Sequence, residues 1–236
     1  MSYQIHLFRG DCRWLHKLPW DNDPHEWICA GGAAIKKTKT RFAFVWPGEI
    51  PIFIKRYVPK RFSARWLSWL LGTKSAREAQ VLFRLRSEGI AAPEPLAVIE
   101  PSIPIGRMAN YLVQERLAGD DLLRSAQLSP ENAGSLLASA AEELGRLLAQ
   151  LHFIGFFHPD TALCNFFLDA PTGKLHVIDV DDGRFFPRIL LYHRRRNLRQ
   201  IISSGRSLTE DREWVTRLYD AYTSCSGISL EAIAPL

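Results

Sequence analysis

Cysteine is scarce in this 236-residue chain, and Cys12, Cys29, Cys164 and Cys225 stand far apart with no C-x-x-C among them. That spacing argues against a disulfide-stapled scaffold and a thiolate zinc site, and it suits a reducing compartment. Cys164 adjoins Asn165 but is read as a small packed residue, because none of the chemistry below needs a thiol. Long apolar runs are missing too. The nearest approach, Trp66-Leu67-Ser68-Trp69-Leu70-Leu71, falls far short of the roughly 20 residues that cross a bilayer. Met1 to Trp14 carries Arg9, Asp11 and Arg13 without a sustained apolar core, so no secretory signal is expected and the expected location is cytoplasmic. A complete G-x-G-x-x-G phosphate loop is absent, leaving Gly31-Gly32 as the only partial substitute. Positive charge is what the chain has in excess: 30 Lys and Arg against 25 Asp and Glu, a net +5 and a pI near 9.1. An anionic partner follows from that balance. Hydrophobic content of 47% with 23% charged residues is ordinary for one or two globular domains.

The most informative stretch is His158-Pro159-Asp160 with Asn165, followed by Val177-Ile178-Asp179-Val180-Asp181. Asp160 and Asn165 repeat the five-residue step of the kinase catalytic loop H-R-D-x-x-x-x-N. In that chemistry the aspartate takes the proton of an attacking hydroxyl, while the asparagine and a second aspartate hold magnesium on the ATP phosphates. Phe166-Phe167-Leu168 and Leu175-His176-Val177-Ile178 are short apolar runs around the turn-rich Asp169-Ala170-Pro171-Thr172-Gly173, which predicts a β-hairpin. Asn165 before its first strand and Asp179 after its second can then face one metal. His158 is read as a packed, hydrogen-bonded residue that shapes the loop, since Asp160 already supplies the base. Upstream, the leucine spacing from Leu144 to His152 predicts an amphipathic helix feeding the loop through Gly155.

In the first half, Glu26–Ala30, Thr40–Trp46 and Ile52–Tyr57 read as antiparallel strands separated by Gly31-Gly32 and Pro47-Gly48. Gly31 and Gly32 are candidate phosphate-approaching backbone. Ile52-Phe53-Ile54-Lys55 resembles the V-A-I-K strand, whose lysine pairs with ATP phosphates. A helix over Ser75–Ser87 offers Glu78 as the acidic partner of Lys55, with Glu88 at the helix end as a weaker alternative. Tyr111–Glu115 reads as a buried strand. Where it runs on, backbone groups of Glu115 and Leu117 are candidates to hydrogen-bond adenine, and the domain boundary belongs near Gly119, dividing 1–118 from 119–236.

These residues together resemble the lipopolysaccharide kinase family, Kdo and heptose kinases of protein-kinase-like fold. The resemblance runs through Arg41-Phe42-Ala43-Phe44-Val45, Phe53-Ile54-Lys55-Arg56-Tyr57, Arg77-Glu78-Ala79 with Leu82 and Leu85, and Gly89 to Pro95. It continues in the His158–Asn165 loop and in Ile178-Asp179-Val180-Asp181, close to the D-F-D form of that family. It implies an α+β, two-lobed protein-kinase-like fold, with a small antiparallel-sheet N-lobe and a mostly helical C-lobe. It also implies Lys55 and Glu78 as an ion pair, Asp160 as base, Asn165 and Asp179 as magnesium ligands, ATP as donor and a lipopolysaccharide inner-core sugar as acceptor. Pro159 replaces the usual arginine and Val180 the usual phenylalanine. The lost arginine argues against control by activation-loop phosphorylation. Asp181 is left between a second metal role and a turn cap.

Two stretches bear on the acceptor. Lys60 to Lys74 mixes cations with Phe62, Trp66, Trp69 and Leu70 on one helical face, which suits either a core or peripheral contact with the cytoplasmic face of an anionic inner membrane. Arg194, Arg195 and Arg196 form the densest cationic run, and are candidates to receive an anionic lipopolysaccharide or lipid-linked sugar. No base-stacking aromatics interleave with these arginines, so nucleic acid is not expected as a partner. The alternatives are a phosphotransferase for another small-molecule or protein hydroxyl, and a catalytically silent, membrane-associated nucleotide-binding protein.

Overall fold

The computed structural model describes residues 3–9, 15, 24–31, 33–37, 41–46, 51–59, 72–102, 109–169 and 171–233. The chain divides into two compact units, Met1–Arg84 with Pro93–Arg116, and Leu85–Ala92 with Leu117–Leu236.

The first unit is built on six strands, β1 (Tyr3–Leu7), β2 (Ala33–Lys37), β3 (Arg41–Trp46), β4 (Ile52–Tyr57), β5 (Pro95–Pro101) and β6 (Asn110–Glu115). They form one antiparallel sheet in the order β1-β5-β6-β4-β3-β2. Alternation along β4 decides what each face carries. Ile52 and Ile54 are fully buried in a core with Leu15, Ile28, Phe44, Ile99, Tyr111 and Val113, so Lys55 and Tyr57, of the other parity, project from the opposite face.

Glu26–Ala30, expected as a strand, is instead part of helix α1 (Pro24–Gly31), and the strand that pairs with β3 is Ala33–Lys37. A short apolar run has no period long enough to separate helix from strand. Pro24 in the first turn favours helix through its fixed φ, and Glu26 in the same turn complements the dipole. Helix α2 (Lys74–Ser87) matches the expected one. It starts where Thr73 Oγ1 accepts the Ala76 N–H at 3.2 Å, an N-cap bond. Ser75 N–H donates to Asn110 Oδ1 at 3.1 Å and so fastens the helix start to β6. The segment with Phe62, Trp66, Trp69 and Leu70 lies outside the described residues, as does Gly32.

The second unit is mostly helical: α3 (Leu122–Leu128), α4 (Ala133–Phe153), α5 (Leu191–Arg206), α6 (Glu213–Ser226) and α7 (Leu230–Ile233). Between them run β7 (Gly119–Asp121), β8 (Phe156–Phe157), β9 (Phe166–Asp169), β10 (Leu175–Val177) and β11 (Arg184–Phe185). The leucine stripe becomes the buried face of α4, with Leu137, Leu144, Leu148 and Leu151 inside. Helix α6 lies so close that a Cβ on Gly145 would stand 2.5 Å from Leu218 O. Gly155 ends α4 in the left-handed region with φ 79°, and a Cβ there would stand 2.1 Å from Phe186 O. The expected hairpin is β9 with β10, pairing Phe166 with Val177 and Leu168 with Leu175. Among the described residues no helix is long and apolar enough to cross a membrane.

Candidate active site

In the first unit, Lys55 Nζ lies 2.6 Å from Glu78 Oε1. The lysine side chain is 13% exposed and the glutamate fully buried. Tyr57, two residues along the same face of β4, donates its hydroxyl hydrogen to Glu78 Oε2. One carboxylate is therefore held at both oxygens, by a cation and by a phenol. A buried charge is tolerable only when paired and hydrogen-bonded in this way. Lys74 Nζ sits 5.6 Å from the Tyr57 ring centroid, adding a cation–π contact at the base of α2. Glu88, the weaker alternative, is exposed in the turn after the helix. Tyr57 was not anticipated, although its i+2 position from Lys55 was the available signal.

The second unit carries the loop and the hairpin. His158 is 2% exposed. Its Nδ1 accepts the Asp160 N–H at 3.2 Å, and its Nε2 donates to Ile178 O at 3.2 Å. The imidazole thus staples the loop that carries Asp160 to the chain just before Asp179, with both ring nitrogens engaged. Burial holds its pKa below the ordinary range, outweighing the hydrogen bond to Ile178 and the charges of Asp179, Asp160 and Asp181. Asp160 itself is exposed.

Asn165 Nδ2 donates to Asp160 O at 2.8 Å, which leaves Oδ1 as the amide atom suited to a metal. Ile178 N–H donates to Asn165 O at 2.9 Å, extending the hairpin pairing by one residue, so that Asp179 follows directly on the residue paired with Asn165. Asp179 has φ 56° and ψ 45°, the one positive φ outside glycine among the described residues. The left-handed region costs an L-residue about 1–2 kcal/mol, and aspartate is among the few that visit it. An amide oxygen with a carboxylate is a hard-oxygen set, which fits magnesium, an ion that takes one or two carboxylates plus substrate phosphates.

A buried polar chain supports the loop, and the sequence reading missed it. Asn197, fully buried in α5, donates from Nδ2 to His158 O at 2.7 Å. Its Oδ1 must then accept from His152 Nε2, 3.0 Å away. His152 Nδ1 in turn accepts from the Tyr222 hydroxyl at 2.8 Å, and that oxygen accepts from Arg194 Nη1 at 3.0 Å. Each bond of this relay sets one donor against one acceptor, so the tautomer of His152 and the amide orientation of Asn197 are fixed. Burial drives His152 down to about 3. Thr161 Oγ1 donates to Asn197 O at 2.8 Å, and Gln200 Nε2 to Pro159 O at 3.0 Å, so α5 grips the loop from His158 to Thr161. The signal in the sequence was polar residues on apolar helical faces, His152 beside Leu151 and Asn197 beside Leu198.

Three expectations need correction. Arg194–Arg196 do not present one exposed patch. Arg194 is spent on Tyr222 and Ile189 O, and Arg195 Nε donates to Ala232 O at 2.8 Å. Of the three only Arg196 is exposed, donating to Pro159 O at 3.2 Å. Gly31 is the last residue of α1 and not a turn between strands, so it builds no phosphate loop. Glu115 donates its backbone N–H to Glu94 O at 2.8 Å, which leaves its carbonyl as the main-chain group it can offer an adenine. Leu117 falls in the second unit and is part-buried.

Comparisons with known proteins agree with this geometry. The chain is 28% identical over 137 residues to the mouse EKC/KEOPS complex subunit Tp53rkb, covering 56% of this chain and 53% of that protein. It is 30% identical over 132 residues to a 3-deoxy-D-manno-octulosonic acid kinase of Xylella fastidiosa strain M12, covering 56% and 50%. The chain thus spans about half the length of the curated relatives it matches. A solved structure, WaaP in complex with acyl carrier protein, superposes with a TM-score of 0.65 at 21% identity, over 94% of this chain and 89% of that one. The fold is therefore the α+β, two-lobed kinase-like one. With a family profile matching residues 52–222, well over half its length, the chain belongs to the lipopolysaccharide kinase (Kdo/WaaP) family.

Proposed function

We propose that the protein is an ATP-dependent kinase that transfers the γ-phosphoryl group to a hydroxyl of a lipopolysaccharide inner-core sugar, Kdo or heptose. The observation that carries the reading is the pairing of Asn165 with Ile178, the residue before Asp179, together with the bond from Asn165 Nδ2 to Asp160 O, which supports Asn165 and Asp179 as metal ligands at the foot of the loop bearing Asp160. Family membership and the name of the Xylella relative support the acceptor class.

In this mechanism Lys55, steadied by Glu78 and Tyr57, binds phosphate oxygens of ATP. Asn165 Oδ1 and the Asp179 carboxylate would hold magnesium, which neutralises charge on the phosphates when bound. Asp160 orients the acceptor hydroxyl and takes its proton as the oxygen attacks the γ-phosphorus in line, the bond to the β–γ bridging oxygen breaks and ADP leaves. His158 and Asn197 keep the loop backbone fixed, so that Asp160 is positioned before substrate arrives. The carbonyl of Glu115 and backbone groups of Leu117 are the proposed adenine partners. Arg196, beside Pro159, is the arginine of its cluster best suited to an acceptor phosphate or carboxylate. Action on a lipid-linked acceptor agrees with a place at the cytoplasmic face of the membrane.

The test is transfer of labelled γ-phosphate from ATP to a panel comprising inner-core lipopolysaccharide, free sugars and a protein substrate. Label in the lipopolysaccharide supports the proposal, and label only in another acceptor refutes it. The likeness to the mouse EKC/KEOPS subunit favours a second reading, a phosphotransferase for a different hydroxyl, and the same panel separates the two.

A further inference from the structure

Helix α5 begins in an unusual way. Leu190, Leu191 and Tyr192 form its N-cap and first turn, with 59%, 45% and 69% of their surfaces exposed. N-cap positions favour Ser, Thr, Asn and Asp, yet Leu190 makes no side-chain cap hydrogen bond. Three adjacent large apolar groups in water are costly to a fold that gains nothing from them.

Their surroundings carry charge of one sign. From Gly183 to Arg206 the chain has seven arginines and no aspartate or glutamate. Arg188 is exposed two residues before Leu190, and Arg196 and Arg199 are exposed four and seven residues after Tyr192. That spacing puts Tyr192, Arg196 and Arg199 on one helical face. Beneath the tip the packing is firm. His193 stacks on Phe186 at 5.5 Å and contacts Phe157 at 4.6 Å, while Arg194 binds Ile189 O at 3.3 Å. The Arg196 guanidinium lies 5.6 Å from the Phe157 ring centroid and donates to Pro159 O, so the surface adjoins the loop that carries Asp160.

We propose that Leu190, Leu191 and Tyr192, with Arg188, Arg196 and Arg199, form a docking surface for an anionic lipid bilayer. Apolar side chains inserted at the headgroup level, with cations around them to meet anionic headgroups, are the two contributions that bind a protein to such an interface. The surface adjoins the catalytic loop, so docking would hold Asp160 near the plane where a lipid-anchored sugar is presented. That consequence rests on the proposed kinase function, whereas the docking itself does not.

The experiment is cosedimentation of the full chain with vesicles of phosphatidylethanolamine and phosphatidylglycerol, and with vesicles of phosphatidylcholine alone. The variants are L190S/L191S, and R188E/R199E, which spares the arginine nearest the catalytic loop. Wild type should bind the anionic vesicles and not the neutral ones, with binding weakened by raised salt. Each double variant should lose about tenfold or more in partitioning, while melting within a few degrees of wild type and labelling detergent-dispersed acceptor at the wild-type rate. Equal binding by the L190S/L191S variant, equal wild-type binding to neutral vesicles, or no wild-type binding to the anionic vesicles would each overturn the proposal. Loss of phosphate transfer with vesicle binding intact would count against the kinase reading alone.

Discussion

Asn197→Leu tests the buried chain beneath the catalytic loop. Leucine shares the branching of asparagine at Cγ, with bulkier methyl groups, so the change keeps the side-chain shape while removing three hydrogen bonds, one of them the bond from Nδ2 to Gln200 Oε1 at 3.3 Å within α5 and the other two to groups outside that helix. His158 O loses the donor 2.7 Å away, and the His152 Nε2–H loses its acceptor 3.0 Å away. Both groups are buried where water cannot replace the partner. A buried polar group left unsatisfied costs about 1–3 kcal/mol, so the pair should cost roughly 2–6 kcal/mol. For a chain of this size that corresponds to a fall of roughly 5–20 °C in melting temperature. Circular dichroism melts of wild type, Asn197→Leu and Asn197→Asp provide the assay. Aspartate keeps an acceptor for His152 but lacks a donor for His158 O, and should fall between the other two at neutral pH. Because His158 also fixes the Asp160 backbone, kcat in the leucine variant should drop by more than the KM for nucleotide rises. A leucine variant that melts within about 1 °C of wild type would refute the network as a structural support.

Three further outcomes follow from the same geometry. Lys55→Met removes the cation paired with the buried Glu78 carboxylate, and should cost roughly 3–5 kcal/mol in a urea titration, part of which the added change Glu78→Gln restores. Asp179→Gly relieves the left-handed strain at φ 56°, so this variant should be more stable than Asp179→Ala, while both lose magnesium-dependent nucleotide binding by calorimetry. Burial depresses both His152, to about 3, and His158 below the ordinary value of 6.5, so unfolding below pH 6.5 takes up protons and the stability present above pH 6.5 is lost as pH falls toward the folded values. Denaturation at pH 5 should show a net proton uptake that falls by about one in His152→Phe.

What was legible in the sequence follows from what period and spacing can carry. The hairpin, helix α2 and strands β3, β4 and β6 announced themselves by apolar alternation or helical spacing. Lys55 and Glu78 were found because each sits at a fixed place on such an element, and the structure joins them at 2.6 Å. The region from Pro24 to Gly31 was misread because eight residues are too few for a period to declare itself. Strands β1 and β5, paired across more than 90 residues of chain, depend on tertiary partners that no local window contains. The same holds for His152, Asn197 and Tyr222, whose roles arise only when α4, α5 and α6 meet. The arginine run was misread for a related reason: a sequence displays charge but not which side of a helix is already occupied. Arg194 and Arg195 turned out to brace their own domain.

The central claim is that Asp160 works as the base of a kinase acting on an inner-core sugar. It is tested most directly by single-turnover transfer of labelled γ-phosphate from ATP to purified deep-rough lipopolysaccharide with magnesium, comparing wild type with Asp160→Asn. Asp160 is exposed, so the substitution should leave the melting temperature unchanged while lowering turnover by roughly 10² to 10⁴, the range for loss of a general base. Transfer by the asparagine variant at the wild-type rate, or no transfer by a folded, nucleotide-binding wild type, would contradict the account.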